Sequence, residues 1–212
     1  MDRYTETFDT WNKVALLYQE KFMDLDLYNN TYDVICDSIT KKGAAVLDVG
    51  CGPGNITRYL LSKRPDFNIL GIDVAPNMVE LARKNNPTAR FSVMDSRQIG
   101  GLKTTFDGIV AGFCLPYLSP FDVSKLFTDC FQLLHNNGLL YVSFVEGDSA
   151  QSGYQTGSSG DRTYFYFHTS DEIIKQLKKE KFDNIEVHKV EYQKSSGEMD
   201  VHTILVARKN VE

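Results

Sequence analysis

VLDVGCGPGN, at residues 46–55, places a run of apolar residues directly before three glycines at alternate positions, and a helical pattern follows. Glycine has no Cβ and tolerates positive φ, so such a strand–loop–helix unit lets the backbone come close to a ligand. Asp73 follows at the end of the next predicted strand, where a carboxylate suits the hydroxyl groups of a ribose. Together these features indicate a nucleoside-containing cofactor.

Length and composition are those of one large α/β domain. The chain has 212 residues, 42% of them hydrophobic. Its net charge is −5 and it has no dense basic run, so we expect no nucleic-acid partner. No apolar stretch approaches the ~20 residues that span a bilayer. The polar start, MDRYTE, does not resemble a signal peptide. We therefore expect no membrane association and a cytoplasmic location.

The cysteines and histidines show no metal-ligand spacing. Cys36, Cys51, Cys114 and Cys130 are scattered and form no C-x-x-C pair. Without a secretory signal they are interpreted as reduced thiols. The four histidines are equally dispersed, so no metal site is expected.

Apolar periodicity predicts alternating strands and helices along most of the chain. Strands are predicted at 45–50, 67–72, 90–95, 106–113 and 139–145, with helices at 55–64, 76–85 and 121–135. Two helical pieces precede them, between about residues 8 and 40. A capping box at residues 169–172 opens a later helix. Two last strands, near 184–193 and 200–208, are joined by Ser195-Ser196-Gly197, which is too short for a crossover helix.

This order of elements predicts the fold class. We expect an α/β three-layer sandwich: a seven-stranded, mostly parallel, Rossmann-like sheet that ends in a C-terminal antiparallel hairpin. Residues 1–212 are interpreted as a single domain. Within it, residues 1–42 form an N-terminal helical cap, 43–145 the cofactor-binding half, and 146–212 a substrate-side insertion with the terminal hairpin.

The glycine spacing argues against a dinucleotide. Gly50-x-Gly52-x-Gly54 differs from the G-x-G-x-x-G pattern of dinucleotide-binding folds. Pro53 lacks an N–H that a phosphate could use, and Asp48 would repel a pyrophosphate. The loop therefore favours a ligand whose middle section is uncharged or cationic. An NAD(P)-dependent oxidoreductase is kept as a remote alternative.

Four motifs in order resemble those of the class I S-adenosylmethionine-dependent methyltransferases of the small-molecule type. They are DVGCGPG at 48–54, GIDVAPNM at 71–78, Asp95-Ser96 and Phe106-Asp107. The resemblance extends from about residue 40 to the C-terminus. It implies a Rossmann-like fold that binds S-adenosylmethionine at the carboxyl ends of the first strands. Open α/β sheets bind ligands at the same place.

The resemblance also implies which residues contact the methionine end of the cofactor. Gly50, Cys51 and Gly52 would lie along the methionine moiety. Asp48 would favour its ammonium group, directly or through water. Phe113, just past the fourth strand, would face the reactive end of the cofactor.

A second set of residues is implied at the nucleoside end. Asp73 would accept hydrogen bonds from both ribose hydroxyls. Val74 and Met78 would enclose the adenine. Asp95 would accept from the adenine amine, and Ser96 belongs to the same motif.

Several of these residues have a purely structural alternative. Asp73 could cap the helix that begins near Pro76. Met78 is also typical of a helix face in the core, and Asp95 of a turn before Gly100. For Cys51 we favour small size over a reactive thiol.

Aromatic residues on the N-terminal helical cap are candidates for a lid. A sulfonium cation is stabilised by aromatic faces. Trp11 and Tyr18 recur at helical spacing. We favour core packing for Trp11 and a lid contact with the cofactor for Tyr18.

A glycine- and serine-rich segment, residues 147–160, precedes the strand-like run 163–168. This region could close over a small acceptor, or be a surface loop followed by an edge strand. Tyr164, Tyr166 and His168 share one face of the run. His168 is a candidate general base, although packing before the following helix is the favoured interpretation.

Cys114-Leu115-Pro116-Tyr117 is similar to the Asn/Asp-Pro-Pro-Tyr loop of amino-group DNA methyltransferases, but the first two residues of that motif are absent. With the acidic composition, this favours a small-molecule acceptor over a nucleic acid. The leading hypothesis is S-adenosylmethionine-dependent methyl transfer to such an acceptor by in-line displacement. A non-catalytic S-adenosylmethionine-binding module or sensor is the alternative.

Overall fold

The structure is a computed structural model that describes residues 2–157, 159–194 and 197–210. Its helices are α1 (Arg3–Lys13), α2 (Ala15–Phe22), α3 (Asn29–Ser38), α4 (Asn55–Lys63), α5 (Pro76–Asn85), α6 (Pro120–Leu133) and α7 (Ser170–Lys179). Its strands are β1 (Ala45–Val49), β2 (Asn68–Asp73), β3 (Arg90–Val93), β4 (Phe106–Ala111), β5 (Leu134–Val145), β6 (Gly153–Thr156), β7 (Arg162–Phe165), β8 (Phe182–Gln193) and β9 (Met199–Lys209). Within these ranges, no helix is both long and apolar enough to cross a membrane.

Seven strands form one sheet in the order β3-β2-β1-β4-β5-β9-β8. Strands β1 to β5 are parallel, whereas β9 runs antiparallel to both β5 and β8. From the central pair β1 and β4 the chain proceeds toward opposite edges of the sheet. Their carboxyl ends therefore border a crevice, which is where open α/β sheets bind ligands.

The strands supply two separate cores. Leu47 and Ile109 pack with α6 and α7 on one face, whereas Val46 and Val110 pack with α3 and α4 on the other. Successive strand residues point to opposite faces, so continuous apolar runs serve both cores. The predicted three-layer sandwich with a seven-stranded, mostly parallel sheet is confirmed.

The C-terminal antiparallel hairpin is also confirmed. Strands β8 and β9 pair from Phe182↔Lys209 to Gln193↔Met199. The predicted turn residues Ser195 and Ser196 lie outside the described residues. Strand β5 begins earlier than the predicted residue 139, because Leu134 already pairs with Phe106 of β4.

Helix α1 is fastened to the β6–β7 strand pair by polar contacts. The Thr10 hydroxyl donates to the carbonyl of Arg162 at 2.8 Å, and Lys13 pairs with Asp161 at 2.7 Å. Arg162 also pairs with Glu6. The glycine- and serine-rich segment thus supplies β6 of a short strand pair, and the residues after it supply β7, which is held against α1. One residue of that segment, Ser158, lies outside the described part of the chain.

Candidate active site

The glycine loop turns through three left-handed backbone positions. Their φ values are +68° at Gly50, +52° at Gly52 and +83° at Gly54, which residues with side chains rarely adopt. The Gly52 N–H donates to Asp73 Oδ2 at 2.9 Å, so the loop is tied to the end of β2. Helix α4 begins directly afterwards, at Asn55. The alternate glycines therefore permit a tight turn against Asp73.

Asp48 lies in β1 beneath this loop and is fully buried. Its Oδ2 accepts the Thr57 hydroxyl at 2.7 Å, while Oδ1 has no partner among the residues that the structure describes. Burial, assisted by the charge of Asp73, raises the pKa of Asp48 to about 6. Asp48 lines neither of the two cavities described next, which disfavours a direct contact with a ligand. A cation or a bridging water near Oδ1 would offset the cost of its unpaired state.

A first cavity, of about 110 Å³, lies at the carboxyl ends of β1, β2 and β4. Its wall contains most of the residues that the sequence singled out: Tyr18, Gly50, Gly52, Asp73, Val74, Met78, Asp95, Ser96 and Phe113. These side chains come from separate turns and helices that the parallel strands bring to one edge. The two others, Asp48 and Cys51, do not line this cavity.

Asp73 lies between the first cavity and the start of α5, a position compatible with both interpretations that the sequence left open. It lines the first cavity, and it also accepts the N–H groups of Gly52 and Ala75, each at 2.9 Å. Ala75 is the N-cap residue of α5, so the carboxylate supports the start of that helix. Burial raises the pKa of Asp73. Val74 and the buried Met78 continue the same wall.

Asp95 lines the first cavity but already has a partner. Its Oδ1 accepts the N–H of Arg97 at 2.9 Å and caps a short 3₁₀ helix, Ser96–Gly101. Both carboxylate oxygens also bind the Arg97 guanidinium, the shortest distance being 2.6 Å. The turn interpretation therefore describes its local geometry. A ligand amine would have to share the carboxylate with Arg97.

Trp11 and Tyr18 stand edge to face, 5.6 Å apart, and line both cavities. Trp11 packs against a small buried cluster, in agreement with the favoured interpretation, and it is also part of both cavity walls. Its indole N–H is buried and lacks a hydrogen-bond partner in the described ranges. Helical spacing identifies the inward face of α1, but a core and a cavity wall give the same spacing.

A second cavity, of about 290 Å³, adjoins the first. The residues that line both are Trp11, Tyr18, Gly50, Gly52, Gly112, Phe113 and Tyr117. Phe113 has an unusual φ of +53°, and its N–H donates to the Ser143 hydroxyl at 2.9 Å. Cys51 lines only the second cavity, and burial raises the pKa of its thiol well above the usual value. The thiol therefore stays protonated, which favours the small-size interpretation.

The far wall of the second cavity is aromatic. His202 of β9 stacks on Tyr192 of β8, with ring centres 4.9 Å apart and planes 14° apart. Phe113 meets His202 edge-on at 5.0 Å. The Tyr28 hydroxyl lies 2.7 Å from His202 Nδ1. These rings come together from opposite ends of the chain.

The face of the run 163–168 that lies toward the second cavity is not the one that carries Tyr164, Tyr166 and His168. Phe165 lines the second cavity, whereas Tyr164, Tyr166 and His168 line neither. His168 is buried, its Nε2 lies 3.1 Å from the carbonyl of Leu115, and burial lowers its pKa. The packing interpretation of His168 therefore fits the structure, and the general-base hypothesis does not.

Sequence reasoning missed several wall residues. In the first cavity these are Thr7, Phe8, Met94 and Leu118, and in the second Tyr192, Asp200 and His202. Tyr28, which lies just before α3, also lines the second cavity. Strand alternation could have placed Tyr192 and His202 on faces of the hairpin, but not beside a cavity.

Comparisons with known proteins find methyltransferases among the similar sequences and structures. The family model described as "Methyltransferase domain" matches residues 46–138. The chain is 38% identical over 112 residues to "Putative methyltransferase 235L" of Invertebrate iridescent virus 6, covering 53% of this chain and 40% of that protein. It is 29% identical over 143 residues to "Malonyl-[acyl-carrier protein] O-methyltransferase" of Acetivibrio thermocellus, covering 66% of this chain and 46% of that one. The chain thus spans less than half the length of these two relatives.

A solved structure extends the likeness to nearly the whole chain. It is the Burkholderia thailandensis 1,6-didemethyltoxoflavin-N1-methyltransferase with bound 1,6-didemethyltoxoflavin and S-adenosylhomocysteine. The TM-score is 0.73 at 19% identity, covering 98% of this chain and 88% of that one. The family model and the relatives support a class I S-adenosylmethionine-dependent methyltransferase, and the solved structure shares its fold. The methyl donor of this family is S-adenosylmethionine.

Proposed function

We propose that this protein transfers a methyl group from S-adenosylmethionine to a small-molecule acceptor held in the second cavity. The observation that carries the proposal is the shared wall of the two cavities at Gly50, Gly52 and Phe113. A donor in the first cavity and an acceptor in the second would meet there. Methyl transfer by in-line displacement requires such a meeting point.

The residues around the first cavity fit this cofactor. Asp73 would accept from the ribose hydroxyls, since a partly buried carboxylate at the wall makes charge-assisted hydrogen bonds. Val74 and Met78 offer apolar contact to the adenine. The unpaired Oδ1 of Asp48 suits the ammonium group, with water between them. Asp95, whose carboxylate also binds Arg97, would accept a hydrogen bond from the adenine amine. Ser96 is assigned to the same end of the cofactor.

The reacting end would lie at the boundary of the cavities. Gly50, Cys51 and Gly52 would follow the methionine part, and Phe113 would face the sulfur. When bound, S-adenosylmethionine supplies an electrophilic methyl group on a positively charged sulfur. Tyr18 and the other rings of this boundary would exclude water and favour the positive charge. The chain's main task is therefore alignment, and no single catalytic residue is assigned.

A small-molecule acceptor is favoured by the size of the second cavity, about 290 Å³, and by the acidic character of the chain, with a net charge of −5. A structural neighbour points the same way, since it holds 1,6-didemethyltoxoflavin. We expect no nucleic-acid acceptor. The four free, buried cysteines suit a reducing compartment, so we place this activity in the cytoplasm.

Calorimetry with S-adenosylmethionine, S-adenosylhomocysteine and NAD tests the cofactor. We expect the first two to bind and NAD not to bind, and binding of NAD alone would overturn the proposal. Incubation with methyl-labelled S-adenosylmethionine and fractionated metabolite extracts then tests transfer. Cofactor binding without transfer to any fraction would support the binding-module alternative instead.

The variant Asp73→Asn sharpens the cofactor assignment. It removes the charge that would hold the ribose, so we expect cofactor binding to weaken by about 1.5–3 kcal/mol. Asp107→Asn is a matched control, because Asp107 also accepts a backbone N–H, from Ala45 at 2.8 Å, but lines neither cavity. Equal affinities of both variants for the cofactor would contradict the assignment.

A further inference from the structure

The strongest unused feature of the molecule is the edge of His202 that faces the second cavity. His202 is only 6% exposed, yet it lines this cavity. Tyr192 covers one face of its ring, and Phe113 packs against it edge-on. Tyr28 binds Nδ1 at 2.7 Å, and Nε2 has no hydrogen-bond partner among the described residues. The imidazole is therefore fixed in orientation, and Nε2 is its one polar atom without a hydrogen-bond partner among the described residues.

The surroundings of Tyr28 determine which nitrogen carries the proton. The Tyr28 hydroxyl is buried, and burial raises its pKa, so it stays protonated. Within the described ranges, its hydrogen-bond partner is His202 Nδ1. If Nδ1 donated instead, the phenol hydrogen would be left without an acceptor in a buried place. The hydroxyl therefore donates to Nδ1, and the proton of the neutral imidazole is on Nε2.

Burial also keeps the ring neutral. It lowers the pKa of His202 to about 4, with Asp200 raising it and Lys194 lowering it further. At neutral pH the ring thus carries one N–H donor and no charge. A group of this kind binds and orients an oxygen acceptor. It is poorly suited to take a proton from the acceptor.

We propose that His202 Nε2–H is a specificity-determining donor that selects planar, conjugated methyl acceptors bearing a carbonyl or similar oxygen. This rests on the proposed function, since it assigns the acceptor to the second cavity. Planarity follows from the walls of the second cavity, where Tyr32, Phe22 and Phe165 are further aromatic rings. The oxygen follows from the donor without a protein partner, because a ligand that displaces water from this N–H and cannot pair it binds less well.

Binding of three non-reacting probes to the protein loaded with S-adenosylhomocysteine tests this proposal. Chromone is planar and carries a carbonyl, naphthalene is planar without oxygen, and 1-decalone carries a carbonyl on a saturated frame. Ligand-observed NMR should rank chromone above both others. Long-range proton–nitrogen correlation on histidine-labelled protein should show Nε2–H for His202, and its signal should shift with chromone.

Variants separate the hydrogen bond from packing. His202→Phe keeps a ring but removes the donor, so chromone affinity should fall about three- to tenfold while naphthalene affinity is retained. His135→Phe is the control, since His135 lines neither cavity. An Nδ1–H tautomer, no chromone binding to the loaded wild type, or equal losses for chromone and naphthalene would each overturn the proposal. Retained S-adenosylhomocysteine binding in these samples shows that the cofactor assignment survives such a failure.

Discussion

At the scale of single residues, the proposed role of Asp48 predicts that cofactor binding depends on pH. Burial holds its pKa near 6 in the free protein, so the carboxyl binds a proton more readily than an ordinary aspartate. A bound ammonium group would favour the ionised form and lower that pKa. Cofactor affinity should therefore be highest above about pH 6 and fall as the pH is lowered through that value. Calorimetry across this range measures the effect.

Two controls isolate Asp48 from its neighbour Asp73, whose pKa is also raised by burial. Asp48→Asn should flatten the dependence, since no proton can be taken up at that position. The ligand 5′-methylthioadenosine keeps the ribose but has no ammonium group, so its affinity should change less with pH. The same pH dependence for both ligands would rule out the role of Asp48.

Gly54 shows the cost of a side chain in the glycine loop. Its φ is +83°, and a Cβ there would collide with the Asn86 amide and come within 3.3 Å of Ala82. We expect Gly54→Ala to lower the free energy of unfolding by about 2–4 kcal/mol, from backbone strain and overpacking together. In Gly101→Ala the added Cβ meets nothing within 4 Å, so that variant should stay near wild type. Urea titration compares them, and equal stability would contradict this account.

At the scale of elements, the contacts between α1 and the β6–β7 pair should control access to the first cavity. Thr10, Lys13 and Arg162 make these contacts and line neither cavity. Because α1 supplies Trp11 to both walls, the triple variant Thr10→Val, Lys13→Gln, Arg162→Gln should release the cofactor about three- to tenfold faster. Amide exchange in residues 3–13 and 153–165 should also become faster.

A charge-matched control is the double variant Lys84→Gln, Lys125→Gln. Lys84 forms an exposed ion pair within α5, and the half-exposed Lys125 pairs with the buried Asp129 within α6, both away from the contact with β7. Its cofactor release and its exchange in these segments should match the wild type. If the two variants release the cofactor at the same rate, the α1 contacts do not act as a gate.

At the scale of the whole molecule, the cofactor should stabilise the fold. A ligand that binds only the native state at a hundred times its Kd adds about 2.7 kcal/mol. For a chain of this length that corresponds to a rise in Tm of roughly 5–10 °C. Thermal unfolding with S-adenosylhomocysteine should show this rise, and NAD at the same concentration should not. A rise with NAD alone would favour an oxidoreductase.

Sequence patterns were sufficient for the sheet and, with the family resemblance, for the part of the first cavity wall at the glycine loop and strand ends, because these depend on local signals. Strand and helix periods, and a glycine loop followed by Asp73, can be recognised within short stretches of sequence. The second cavity is different, since Tyr28 and His202 are 174 positions apart and meet only after the sheet forms. Alternation along 163–168 revealed two faces but not which one meets the cavity. Likewise, Trp11 and a core tryptophan have the same helical spacing.

If donor and acceptor occupy the two cavities as proposed, the wall that the cavities share would couple their binding. Whichever ligand bound first would pack against Trp11, Tyr18 and Phe113, so the second would meet side chains already held in place. Such an effect is reciprocal: an acceptor tightens S-adenosylhomocysteine binding by the same factor by which it is itself tightened. A compound library can therefore be screened through S-adenosylhomocysteine affinity. An acceptor will be detected because it raises this affinity, although S-adenosylhomocysteine has no methyl group to transfer.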